Sequence, residues 1–567
     1  MYIRLVMKWI YTLVFALGTV LSFGQTAPDY YYIRFSDKEG TPYSLDNPQA
    51  FLSQKSIQRR IDWGIPLEWK DLPVNPNYVE EVLSIGSCSK HHVSKWFNSM
   101  TLKIEDTLRR QEILDFVNAL PFVLEVRDYS TDSSSHSDKL SLVENRDASD
   151  EFDIEDEYRQ FYGPSYRQVS MINAHVLHEL GFTGEGIQIA LFDAGWNLTD
   201  QLSIFEKLRD EGRLLGTRDF VFTNENNVFN RSNHGTFVLS TVGGFMPDSL
   251  IGTAPDASYY LFRTENPESE YLIEEDNWVV AAEYADSLGV DIINSSLGYS
   301  RFDDPTMDHT YADMDGNTTR SAIAGDIAAS KGILVVNSAG NSGHQPWFYI
   351  TSPSDGDSVL CVGAVNANAH RAFFSSFGPA ADGDVKPNVM AMGQATVFAD
   401  LDGTIRTGNG TSFSSPIMAG GAALLLQATK GRKTNMEIFR AIEASAHRYN
   451  YPSDSLGYGI PDLWKALLDL NEPIVQNLRE DLVVIFPNPA TDRIHIAAQW
   501  LQGLDQVEYD MYDITGRKVL SGKSMLTAGP DKSVVTITWP EAQFTPGEYF
   551  IELRSDKETR RGRVGIR

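Results

Sequence analysis

Three short stretches of this chain carry residue types that could do nucleophilic chemistry. Asp193 ends the apolar run Ile189-Ala190-Leu191-Phe192 and is followed by Ala194-Gly195. A carboxylate at the C-terminal end of a parallel strand stands where such sheets build their sites. His234 lies in Asn233-His234-Gly235-Thr236-Phe237-Val238, where Gly235 admits close backbone approach and the residues that follow suggest a tightly packed helix. Ser412 lies in Gly408-Asn409-Gly410-Thr411-Ser412-Phe413-Ser414-Ser415-Pro416, which runs into the helix-like Ala419–Leu426. Backbone N–H groups and the positive end of a helix dipole would be directed at that serine. Each stretch alone also has a plainer reading: a turn aspartate, a packed or surface histidine, an N-cap serine.

Taken in order, Asp then His then Ser, the three stretches resemble the signatures of the subtilase (subtilisin-like) family, over about 300 residues. The resemblance implies a serine endopeptidase that works through an acyl-enzyme. His234 would be base and then acid to the leaving amine, and Asp193 would fix the imidazole tautomer. Two further stretches fit the same family. Ser338-Ala339-Gly340-Asn341-Ser342-Gly343 resembles the loop whose asparagine amide donates to the oxyanion, which implies that role for Asn341. Asp291-Ile292-Ile293-Asn294-Ser295-Ser296-Leu297-Gly298 resembles the segment that holds substrate as an added strand. Ser296, Leu297 and Gly298, with Ala339 and Gly340, are the implied substrate contacts.

The chain departs from the family at Ala194, where a hydroxyl residue usually follows the aspartate, and at Phe413, whose bulk should matter little. Catalysis of this kind requires no cofactor and no catalytic metal. A structural calcium is compatible with the family, although no dense Asp-x-Asp loop marks a site. The acidic run Glu274-Glu275-Asp276 reads as a solvated helix face, or as a feature favouring basic substrate residues. A catalytically silent surface protein that binds through the same fold is the rival reading, against which the complete set of four site residues speaks. An α/β-hydrolase esterase needs Gly-x-Ser-x-Gly, but Ser414 stands where the last glycine belongs. A zinc hydrolase lacks its His-Glu-x-x-His, which His175 and His178 do not supply.

The elements that must position these residues follow from periodicity. Between 161 and 470, apolar runs such as Ile187–Phe192 and Gly332–Asn337 alternate with helix-like Val279–Leu288 and Ser415–Ala428. That pattern predicts an α/β domain with a mainly parallel sheet flanked by helices. Ahead of it, β-rich runs at Tyr30–Phe35, Trp96–Ile104 and Phe122–Arg127, with a helical stretch at Leu108–Leu120, predict a small α+β prodomain over 25–129. Its position implies an inhibitory propeptide. Residues 130–160 are rich in Ser, Asp and Glu and read as an exposed acidic linker. After a connector at 471–480, residues 481–567 turn all-β, as in a small sandwich. Here Val483–Asp492, Met511–Arg517, Pro546–Phe550 and the basic end Arg560–Arg567 resemble the sorting domain read by type IX (Por) secretion.

Arg4 and Lys8, the apolar run Trp9–Leu21 and small residues after it read as a cleaved signal peptide over 1–24, and the run is too short for a stable membrane span. Secretion or display at the cell surface is therefore expected. The partners expected are protein substrates, the chain's own propeptide and the secretion machinery. A net charge of −28 argues against nucleic acid. Two cysteines, Cys88 and Cys361, are too few for a disulfide framework, and Cys361 reads as a small buried hydrophobe.

Overall fold

The computed structural model describes residues 29–129, 143–147, 157–225, 227–429, 431–470 and, with short gaps, 483–566. The expected signal peptide, most of the acidic linker and the 471–480 connector lie outside these residues.

The N-terminal unit is a four-stranded antiparallel sheet built from β1 (Tyr30–Phe35), β2 (Cys88–Ser94), β3 (Ser99–Ile104) and β4 (Val123–Asp128), in the order β2-β3-β1-β4. Period-two alternation sends Tyr31, Ile33 and Phe35 into a core with Met100, Leu102 and Ile104. The third helix in chain order, α3 (Arg110–Ala119), covers that core with Ile113 and Val117. Two earlier helices, α1 (Gln54–Trp63) and α2 (Pro76–Leu83), were not anticipated. α1 is capped by Ser53, which accepts from Ser56 N, and is stopped by Gly64 at φ 66°. The strand expected from Trp96 starts only at Ser99, because Asn98 adopts a left-handed φ of 49° and turns the chain.

Within the stretch expected to be linker, β5 (Val143–Asp147) is a strand. The central unit is a seven-stranded sheet of β6 (Gln188–Asp193), β7 (Leu214–Asp219), β8 (Ser258–Arg263), β9 (Ile292–Ser295), β10 (Leu334–Ser338), β11 (Val359–Val365) and β12 (Val389–Met392). The order is β12-β11-β10-β9-β6-β8-β7, and every pairing is parallel. Alternate residues face opposite layers: Ile189 and Leu191 join one core with α4 (His234–Gly243) and α7 (Thr411–Thr429), whereas Ala190 and Phe192 join another with α5 (Ile273–Leu288) and α6 (Arg320–Ser330). β13 (Thr396–Ala399) and β14 (Ile405–Asn409) form a hairpin to which β5 adds antiparallel as a third strand. An edge strand offers unpaired backbone groups, and the linker segment takes them.

The C-terminal unit comprises β15 (Val483–Phe486), β16 (Arg493–Ala498), β17 (Gln506–Asp513), β18 (Lys518–Ala528), β19 (Val534–Thr538), β20 (Gly547–Arg554) and β21 (Thr559–Ile566). Its order is β15-β16-β19-β18-β17-β20-β21, and the sheet curls until β15 and β21 touch around one core of Ile494, Ile496, Met511, Ile551 and Val564. Cys88 and Cys361 are unpaired, and Cys361 is buried in β11. Among the described residues no helix is long and apolar enough to cross a membrane.

Candidate active site

The sheet order reverses beside β6, where chain crossovers leave a crevice at the strands' C-terminal ends. Asp193 ends β6 there and is 0% exposed. Its Oδ1 accepts from Ala194 N at 2.7 Å, so a backbone N–H binds the carboxylate at the position where the family's hydroxyl residue is missing. His234, 5% exposed, opens α4, and its Nδ1 lies 2.9 and 2.8 Å from the two Asp193 oxygens. A carboxylate accepts only, so Nδ1 carries a proton, and in the neutral imidazole Nε2 keeps its lone pair. Gly235 makes the approach feasible: a Cβ there would stand 2.6 Å from Gly195 O and 2.7 Å from the Trp196 indole.

Beneath this pair lies a support that the sequence reading missed. Arg263, paired with Asp193 across β8 and β6, is fully buried; its Nε donates to Ala194 O at 3.0 Å, Nη2 donates to Asn230 O at 2.8 Å, and Nη1 pairs with Asp219. Thr264 N donates to Asp193 O at 3.0 Å. The signal was available, because an arginine closing the apolar run of β8 must find a buried partner.

Ser412 is the second residue of α7 and is 6% exposed. Its Oγ donates to Ser296 O at 3.3 Å, and Ser296 Oγ returns a bond to Ser412 O at 3.0 Å. The hydroxyl is thus bonded to the implied substrate segment rather than to His234. Ser415 Oγ, donating to Asn294 Oδ1 at 2.8 Å, ties the same helix turn to β9. Thr411 fixes Asn341: its N and Oγ1 donate to Asn341 Oδ1 at 2.9 and 3.0 Å, while Gly340 N donates to Thr411 Oγ1 at 3.2 Å. With its oxygen so held, the Asn341 amide keeps its N–H donors for another acceptor.

Ser296–Gly298 and Ala339–Asn341 stand on either side of Thr351. A Cβ on Gly298 would lie 2.0 Å from Thr351 Oγ1 and one on Gly340 3.2 Å from it. No motif marked Thr351, because its loop has no pattern of its own. Phe413 matters more than its sequence suggested. It is fully buried, stacks on Phe398 at 5.4 Å, and joins Phe237 of α4 in one aromatic cluster.

Glu274, Glu275 and Asp276 are buried, not solvated. Glu275 bonds His309 and Ser321, and Asp276 bonds Arg320 and Thr101, so tertiary partners overrode the expected helix face. Two carboxylate groups, Glu265/Glu270/Glu274 and Asp357/Asp382/Asp384, bring oxygens within 4.8 Å of one another, a donor set that suits a hard cation such as calcium.

Three family models match the chain. The model of the subtilase family matches residues 184–459, that of the peptidase S8 propeptide domain of Bacteroidota residues 30–143, and that of the secretion system C-terminal sorting domain residues 484–567. Subtilisin NAT of Bacillus subtilis subsp. natto is 31% identical over 51% of this chain and 68% of its own. Subtilisin of Bacillus pumilus is 30% identical over 51% and 94%. Membrane-bound transcription factor site-1 protease of Homo sapiens is 28% identical over 54% and 27%. A solved structure of the prenylagaramide maturation protease PagA aligns with a TM-score of 0.42 at 22% identity, over 52% and 97%.

Proposed function

The chain belongs to the subtilase family and is an exported serine-type endopeptidase, and on that premise we propose that Asp193, His234 and Ser412 are its catalytic triad. The observation that carries this reading is the Asp193–His234 contact at 2.8 Å, made at the end of β6 by two buried side chains. It fixes the tautomer that leaves Nε2 free to act as base.

On substrate arrival Ser412 Oγ turns from Ser296 O to His234 Nε2, gives up its proton and adds to the scissile carbonyl. The carbonyl oxygen becomes an oxyanion, received by Asn341 Nδ2 and Ser412 N. His234 then protonates the departing amine, which leaves an acyl ester on Ser412, and water repeats the cycle in reverse. Asp193 keeps its charge and stabilises imidazolium throughout. Ser296–Gly298 and Ala339–Gly340 hold the substrate backbone, with Thr351 between them. No cofactor enters any step.

The first substrate is the chain itself. β5 lies along β14, three residues before Ser412, and the last described residue of the N-terminal unit is Tyr129. The first cut is therefore expected within 130–142. Released prodomain would act as inhibitor, and the C-terminal unit would route the enzyme through type IX secretion. Truncation after Glu480 should trap the protein in the periplasm, with continued release counting against that route. The decisive test of the triad is Ser412→Ala, with casein turnover falling by about six orders of magnitude, the drop recorded for subtilisin's own serine. The variant should also keep 130–142 uncut. Cleavage of casein at the parent rate would overturn the assignment.

A further inference from the structure

The prodomain grips the catalytic domain in three places along α5. Near the N-terminal end, Tyr129 and Tyr32 pack with Tyr271 and Ile273. Farther along the helix, Glu283 accepts from Ser94 Oγ, Lys95 N and Trp96 N at 2.5, 2.9 and 3.0 Å. At the C-terminal end α1 docks, about 20 Å from Ile273 at 1.5 Å per residue.

That last contact is a built socket. Asp286 is 0% exposed and receives Arg59 Nη2 at 3.3 Å, Arg60 Nη2 at 2.9 Å and Lys95 Nζ at 3.3 Å, all three from the prodomain. Arg59 also donates from Nη1 to Val290 O and from Nε to Lys331 O, so its guanidinium is bound on every edge. Arg60 reaches Asp71, which with Glu68 takes Lys331 of the catalytic domain at 3.3 and 3.0 Å. Lys55 pairs with Asp291 at 2.6 Å, and Trp63 Nε1 donates to Gly431 O at 2.8 Å. The fit is close: a Cβ on Gly332 would lie 2.9 Å from the Trp63 ring and 3.0 Å from Arg59 Cδ. Burial tends to raise the Asp286 carboxyl, but Lys95, Arg60 and Arg59 together hold it well below the usual carboxylate range.

We infer that α1 is an arginine anchor separate from the cleft, and that it keeps the prodomain on the enzyme after the 130–142 segment has been cut. The inference rests on reading 29–129 as the inhibitory propeptide. A cut beyond Tyr129 frees the tail end of the prodomain but breaks none of the bonds at Asp286. The site recognises two adjacent guanidinium groups presented on one helix.

The test uses the full chain with Arg59→Gln or Arg60→Gln, since either leaves the mature enzyme's sequence untouched. Retention of the cut prodomain is read by size-exclusion, with the cut completed by an added protease where needed. The lag before hydrolysis of a short chromogenic peptide is read in parallel. Each variant should release the prodomain about 10- to 100-fold faster, the scale of a lost hydrogen bond to a charged group. The final peptide rate should equal the parent's. If neither variant accumulates, Lys331→Met, compared with its own matured rate, should shorten the lag about tenfold by unpairing Glu68 and Asp71. Unchanged retention and lag in the variants would overturn the anchor. A parent that never hydrolyses the peptide would overturn the reading of the site instead, while size-exclusion would still judge the anchor.

Discussion

Asp193 and Asp286 are both completely buried carboxylates, yet they face partners of different kinds. Asp193 meets an imidazole and one backbone N–H. Asp286 meets two guanidinium groups and one side-chain amine. A buried charge is costly unless compensated, so neither can stand alone. The difference lies in what the compensation allows: an imidazole can take up and return a proton, whereas guanidinium and ammonium groups can only hold on. On the proposed reading, the same residue type serves as a working part in one place and as a joint in the other.

The largest effect expected from breaking this contrast is at the working end. Asp193→Asn should keep the fold but stabilise the wrong His234 tautomer, lowering kcat by about four orders of magnitude, as the same change does in other serine proteases. The check is steady-state kinetics on a folded variant with an unchanged melting temperature; a loss below tenfold would mean that Asp193 does not set the tautomer. Asn341→Ala should lower kcat by about two to three orders of magnitude with little change in KM, because the lost donor acts on the developing oxyanion. An effect confined to KM would remove Asn341 from that role.

A smaller effect tests the joint. The prodomain's His92 is buried against Phe220 O and Asn277 Oδ1, at 2.7 and 2.9 Å, and burial pushes its imidazole down to about 4. Once free it titrates near its ordinary ~6.5. The released form therefore binds the extra proton, so docking is at full strength above that value and weakens as pH falls from about 6.5 to about 4. His92→Gln keeps the donor and should weaken this dependence by its own share, up to about a hundredfold in release at the acid end, leaving the share of the neighbouring His91, whose imidazole burial also pushes down. Release rates that stay pH-independent in the parent would contradict it. The smallest change expected is Ala194→Ser, which adds a donor near a carboxylate already bonded by Ala194 N. It should alter kcat/KM by less than about fivefold, within the reach of one surplus hydrogen bond.

Asp193, His234 and Ser412 were legible because each sits at a boundary that local pattern reveals, a strand end or a helix start. The parallel sheet was legible for the same reason, since Ile189–Phe192 and its counterparts are continuous apolar runs. Helix α1 was not, because it has only Ile57 and Ile61 as aliphatic residues and hides Arg59 and Arg60 in an interface instead of showing an apolar stripe. Glu274–Asp276 misled for the complementary reason: their partners His309, Arg320 and Thr101 come from distant segments. β5 escaped because its pairing with β14 is a property of the edge it meets, not of its own composition. Local order thus announced the candidate site, while the contacts around it depend on long-range meetings of charged residues.

Phe413 has a consequence for life outside the cell. The position after Ser412 holds a ring of carbon, stacked on Phe398, which in turn packs against Phe237. A thioether there would be open to conversion into a sulfoxide, a polar group lodged against the reacting serine. A phenyl ring offers peroxide no sulfur to attack, so oxidative damage to this enzyme has to begin elsewhere than beside Ser412.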